Sequence, residues 1–194
     1  MARVRLNPAL DSFVGEVGNL VFSKRYGRTY ASEKPEITPQ QFTEAQKAVH
    51  IRFHHATNYA RIVMADVEAR EPYESVAKEK GLPVQNVIIA DFLRPPSIDQ
   101  IDLNGYDGSA GGKIRIRASD DFDVTGVNVA ISDSEGQVIE QGPAILSSMN
   151  WGRWIYTTTL SVPAGAHIRV EATATDRPGN TATKSEEMVA ADHK

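Results

Sequence analysis

The chain has no cysteine, and that absence removes disulfides, thiolate zinc sites and thiol catalysis together. It also has no run approaching the ~18 apolar residues that a membrane-crossing helix requires. Its first residues, Met1 to Phe22, carry basic side chains but no apolar stretch of the about 7 to 15 residues a secretory signal uses. No membrane span and no recognisable signal peptide are expected, and an extracellular or particle-associated setting is favoured without one. An excess of positive charge is missing too. Residues 1–95 hold 13 Lys and Arg against 11 Asp and Glu, and residues 96–194 hold 8 against 14. A nucleic-acid-binding chain needs a basic face, and Lys24, Arg25 and Arg28 read as a solvated turn, so no nucleic-acid partner is expected. Internal repeats and low-complexity tracts are absent as well.

What remains is the composition of a folded protein, 41% hydrophobic and 24% charged over 194 residues, enough for one large domain or two small ones. The character of the chain changes at "DFLRPPSIDQ". Pro95 and Pro96 forbid helix continuation and force an extended entry, which puts an expected domain boundary between 1–94 and 95–194.

In the first part, Asn19 to Lys24 and Arg28 to Ser32 read as two short strands around Tyr26-Gly27, where Gly27 supplies the positive φ of a hairpin. Thr38, Pro39 and Gln41 then form a helix start of the Thr-x-x-Gln capping-box type. Phe42, Ala45, Val49, Phe53, Ala56, Ala60, Val63 and Val67 follow at spacings of three and four, one face of a helix over 39–67. Such a rod is about 43 Å long at ~1.5 Å per residue. A shorter helix is expected over Pro72–Lys80, with Gly81 beyond its end. Residues 83–92 fit a third helix or a strand, and the shared face of Val84, Val87, Ile88 and Phe92 favours helix.

After the prolines, strand-like runs cover 98–103, 113–118, 124–131, 137–141, 153–160, 167–175 and 181–186. Ile114, Ile116 and Ala118 alternate with Arg115 and Arg117, and Ile168, Val170, Ala172 and Ala174 alternate with Arg169, Glu171, Thr173 and Thr175. That many short alternating runs between Gly, Pro and Asp turns imply an all-β immunoglobulin-like sandwich, with Trp154 and Tyr156 as large core residues. The expected fold class is thus an α+β N-terminal region, hairpin plus long and short helices, followed by that sandwich.

The segment "VEATATDRPGNTAT" resembles the last two strands of bacterial immunoglobulin-like surface modules, through Ala174, Asp176, Gly179 and Asn180. The resemblance spans roughly residues 97–187 and implies a fold but no ligand. The segment "GNLVFSKRYGRTYASEKPEITPQQFTEAQKAVHIRF" is similar to a group of uncharacterised bacterial proteins, and that likeness implies a phage-like or self-assembling structural subunit. Neither resemblance brings a catalytic residue.

Candidate chemistry is thin. Ser75-Val76-Ala77-Lys78 matches Ser-x-x-Lys, but the companion elements of that catalytic set are missing, and an exposed amphipathic helix explains it. His50 and His54 stand one turn apart with His55 alongside, yet Ile51 occupies the place where a zinc protease carries Glu. Asp120, Asp121 and Asp123 in one loop, with Asp176 and Asn180 in another, could supply oxygen ligands to calcium; Asx turns and caps explain them equally. "DLNGYDGSAGG" opens like a calcium-binding loop but places Tyr106 where a ligand belongs. Trp151 is the exposed aromatic that could stack on a glycan. No cofactor other than calcium is suggested.

The N-terminal part needs a partner surface, because a two-stranded hairpin is marginal alone and a long one-faced helix must bury its apolar stripe. Arg3-Val4-Arg5-Leu6 alternates as an added strand would. The expectation is a non-enzymatic homo-oligomer whose assembly interface includes Val4, Leu6, Phe22, Phe42, Val49, Phe53 and Val63. The alternative is a module that binds a surface protein or a glycan, with the helices as adaptor.

Overall fold

The computed structural model describes residues 2–4, 14–25, 28–34, 42–148 and 152–191. The chain forms two compact units, Met1–Thr43 and Glu44–Lys194.

In the first unit, β1 (Ala2–Val4), β2 (Gly15–Val17), β3 (Leu20–Arg25) and β4 (Arg28–Glu33) make an antiparallel sheet in the order β1-β4-β3-β2. β3 and β4 are the expected hairpin, and Tyr26-Gly27 between them lies outside the described residues. β2 turns into β3 through Gly18 in the left-handed region, φ 56°, with Val17 opposite Leu20. The Arg3-Val4 segment, read as a strand to add to a neighbour, pairs instead with β4 of its own chain; Leu6 lies outside the described residues. Among the described residues of this unit no apolar side chain is buried, and Thr29 is the buried one.

The second unit begins with α1 (Glu44–Ala65), α2 (Val67–Lys80) and α3 (Val84–Leu93). α1 has 22 residues, about 33 Å at ~1.5 Å per residue, shorter than the sequence suggests; the capping box at 38–41 lies outside the described residues. Only the second half of its stripe is covered: Ala60 and Val63 join Tyr73 and Ala77 of α2 and Val87 and Ile88 of α3 in one cluster. α2 starts earlier than Pro72. Asp66 breaks the helix and caps the next one, its Oδ1 accepting from Glu68 N at 3.0 Å and Ala69 N at 3.2 Å, which satisfies two free donors of the first turn. Pro72 therefore lies inside α2, where it removes one helical donor. Gly81 closes α2 with φ 64°, a conformation that favours glycine. Residues 84–93 are helix, not strand.

Eight strands follow: β5 (Ser97–Gly105), β6 (Lys113–Ser119), β7 (Val124–Asp133), β8 (Val138–Pro143), β9 (Ile145–Leu146), β10 (Arg153–Thr157), β11 (His167–Asp176) and β12 (Thr181–Val189). They form two antiparallel sheets, β5-β6-β10-β9 and β12-β11-β7-β8. Seven coincide with the expected runs; β9, two residues long, was not expected. Strict alternation puts Ile114, Ile116 and Trp154 of one sheet and Val129, Ile131 and Val170 of the other into a single hydrophobic cluster, a sandwich-like arrangement in which each fully buried Val or Ile is worth about 1.5–3 kcal/mol.

Helices and sheets meet at Phe122, on the β6–β7 turn. Its ring packs into the helical cluster and stacks on Tyr73, centroids 4.2 Å apart. Pro95 and Pro96 thus mark a change of secondary structure within one compact unit, and the division by contacts falls at Thr43/Glu44. No helix among the described residues is long and apolar enough to cross a membrane.

Candidate functional site

The most perturbed chemistry in the second unit lies where α3, the β6–β7 turn and the β11–β12 turn converge. The β11–β12 turn is built from "DRPGN". Gly179 takes φ 91°, while Asp176, only 2% exposed, accepts from Asn180 N at 2.6 Å and Asn180 Nδ2 at 2.7 Å. The backbone closes the loop with Asp176 N donating to Asn180 O at 3.1 Å. Asn180 Nδ2 also donates to the carbonyl of Phe92 at 3.1 Å, so this one amide ties the hairpin turn to the last turn of α3.

The β6–β7 turn is an Asx turn: Asp120 Oδ2 accepts from Phe122 N at 3.0 Å and Asp123 N at 3.1 Å. Asp121 pairs with Arg94 just past α3. Asp123 lies 3.9 Å from Arg177, whose guanidinium sits 5.9 Å from the Phe122 ring centroid. Asp120 Oδ1 is buried and has no hydrogen-bond partner among the described residues.

α3 adds the group that sequence reasoning missed. Asp91 is 2% exposed; Tyr73 Oη donates to its Oδ2 at 2.5 Å, and its Oδ1 has no hydrogen-bond partner among the described residues. Burial pushes its carboxyl up to about 6; the Tyr73 hydrogen bond and Arg177 oppose that, and the charges of Asp120 and Asp176 add to it. Burial, then the bond to Asp91, raises the Tyr73 phenol well above its ordinary range. A lone carboxylate in the apolar run "VIIADFL" is the sequence signal that would have found this residue, since such groups go inside only with a partner.

The structure thus brings the charges of Asp120 and Asp176 to bear on Asp91, while Asp121 and Asp123 pair with Arg94 and Arg177. Each loop carboxylate already serves a turn or an ion pair, and among the described residues no three His, Asp or Glu groups converge as a metal site.

The other candidates are dispersed. His50, His54 and His55 are exposed, His54 Nε2 lying 3.1 Å from Asn58 Nδ2. Ser75 and Lys78 face solvent. Asp102 and Asp107 each accept from a backbone N–H two residues on, and Tyr106 is core. Trp154 and Tyr156 are core, and Trp151 lies outside the described residues. Of the assembly set, Phe22 is half-buried, and Phe42, Val49 and Phe53 are exposed. Val4 is a strand residue of β1. Val63 is buried among the three helices, so it belongs to the interior of the subunit and is removed from the surface set.

A second buried carboxylate is structural. Glu140 of β8 accepts from Tyr156 Oη at 2.7 Å, Thr159 N at 2.7 Å, Thr159 Oγ1 at 3.1 Å and Leu160 N at 3.0 Å. Burial alone would raise its carboxyl, and these bonds outweigh it and bring the group below its ordinary value. On the outer face of the β12-β11-β7-β8 sheet an open groove of about 700 Å³ is lined by His167, Arg169, Glu171 and Glu187 among others.

No protein-family model matches the chain, and no curated protein does. Among solved structures it is similar to CopC from Methylosinus trichosporium OB3b, at 14% identity and a TM-score of 0.39, over 51% of this chain and 96% of that one. It is also similar to an engineered protein, at 24% identity and a TM-score of 0.33, over 50% of this chain and 20% of that one. Neither likeness bears on activity.

Proposed function

We propose that the chain is a non-enzymatic structural subunit that self-assembles into a filament, a phage-tail-like particle or a surface appendage and displays an immunoglobulin-like domain. The observation that carries this reading is the first-unit sheet. Four strands pair in register, yet among its described residues no apolar side chain is buried, and Val14, Val17 and Leu20 are exposed. A sheet gains stability by covering one face against a second layer, and a neighbouring copy is the layer that a homo-oligomer supplies. The exposed Val49, Ile51 and Phe53 on α1 extend the apolar surface available to neighbours. Support for the immunoglobulin-like part comes from strand order: with β5, β6, β7, β8, β9, β10, β11 and β12 as A, B, C, C′, D, E, F and G, the sheets run A-B-E-D and G-F-C-C′, the arrangement of that fold.

Light scattering and negative-stain microscopy test the reading on the full chain, on a chain starting at Glu44, and on a full-length Val17→Lys/Leu20→Lys variant. Regular particles from the full chain, lost in both others, are the expected result. A monomeric full chain at micromolar concentration would remove self-assembly. A second reading, an adhesion module that binds a glycan or a surface protein with the helices as docking adaptor, is favoured by the groove on the β12-β11-β7-β8 sheet. Glycan binding abolished by Trp151→Ala or Arg169→Ala, with particle formation unchanged, would support it.

A further inference from the structure

Two carboxylate oxygens at one junction are buried without a hydrogen-bond partner among the described residues: Asp91 Oδ1 on α3 and Asp120 Oδ1 on the β6–β7 turn. An ionised carboxylate left in this way is costly, and buried carboxyls answer by keeping a proton or binding a cation. A hard cation takes about six or more oxygen ligands. Among the described residues two buried oxygens here are without a hydrogen-bond partner, since Asp120 Oδ2 is held by two N–H groups and Asp176 by Asn180. A proton needs only one seat.

We propose that Asp91 is a proton-operated latch that holds the helical layer on the two-sheet layer while protonated and loosens it when the proton leaves. The groups facing Asp91 set the direction. Tyr73 on α2 donates to it; Asp120 and Asp176 repel its charge; Arg177 attracts it. Burial and two negative neighbours outweigh the Tyr73 hydrogen bond and one guanidinium that is already shared with Asp123 and the Phe122 ring. The joint is small enough to yield, resting on the Tyr73–Phe122 stack, the Asn180 bond to Phe92 O and the Arg94–Asp121 pair.

The docked form retains a proton that a freely solvated carboxyl would release between pH 3.8 and about 6. Docking is therefore strongest below that window and weakens as pH rises through about 6, by up to roughly 100-fold in the docking equilibrium. This latch does not depend on self-assembly.

The test is hydrogen exchange on the full chain from pH 5 to 8, corrected for the intrinsic rate, reading α3 amides against Val129 and Val170. Protection of residues 84–93 should fall by roughly tenfold over this range while the sheet amides hold, and Asp91→Asn should flatten the α3 profile. The Asp91 carboxyl carbon, followed by NMR in the unaltered chain, should titrate near pH 6, and at lower pH in Asp120→Asn, which keeps an oxygen for the Asx turn. An Asp91 midpoint near 4, or α3 protection flat with pH in the unaltered chain, overturns the proposal. Calcium restoring α3 protection at pH 8 also overturns it, by making the pair a cation site.

Discussion

The two units use the same strand chemistry with opposite results. In the second, Trp154 pairs with Ile116 across β10 and β6, and both side chains disappear into a core shared with the facing sheet. In the first, Val17 pairs with Leu20 across β2 and β3, and both remain exposed. Alternation of apolar residues is enough to set strands and register. A core arises only where a second layer covers the apolar face, and the first unit lacks that layer within its described residues.

The contrast can be broken most severely from the core side. Ile116→Ala should cost about 3 kcal/mol, since it removes buried methylenes and leaves a cavity, measured as a shift in urea midpoint at constant slope. Glu140→Gln should cost about 2 kcal/mol, because an amide cannot accept from all four of its donors. The same variant sharpens a pH argument. A carboxylate whose folded value lies below its unfolded one contributes stability that is present above the unfolded value and is lost as pH falls through the folded one. Stability of the native chain should therefore drop through the acid range more steeply than that of Glu140→Gln, and parallel curves would remove the role given to this group. Gly179→Ala should cost about 1 kcal/mol for placing a Cβ at positive φ. Val17→Thr should change monomer stability by less than about 0.5 kcal/mol, and a larger loss would mean that the first sheet already has a covering layer.

Most of the strand content was legible. Period-two alternation located seven strands of the second unit within a few residues, because both of its sheets are buried on one face. β9 has two residues, too few to show a period. Pro72 is a stronger local signal for the start of α2 than Asp66, although Asp66 is the residue that satisfies two free N–H groups of the first turn. The apolar stripe on α1 predicted one continuous buried face; tertiary packing covers Ala56 to Val63 and leaves Val49 and Phe53 to solvent. At the junction, the sequence named the loop carboxylates but not Asp91, since a residue's burial depends on what folds over it. The Asp176–Asn180 turn is visible in the sequence because its bonds are local.

That turn has a kinetic meaning. β11 pairs with β12 in nine consecutive positions across it, and the same strand pairs with β7 on its other side. Closing a loop of a few residues costs little chain entropy compared with bringing β7 into register. The hairpin is therefore expected to assemble before its sheet and to offer β7 a template. On that order of events the loss in Gly179→Ala falls on the folding arm of the chevron and leaves the unfolding arm in place; a loss carried by the unfolding arm would mean that the turn closes last.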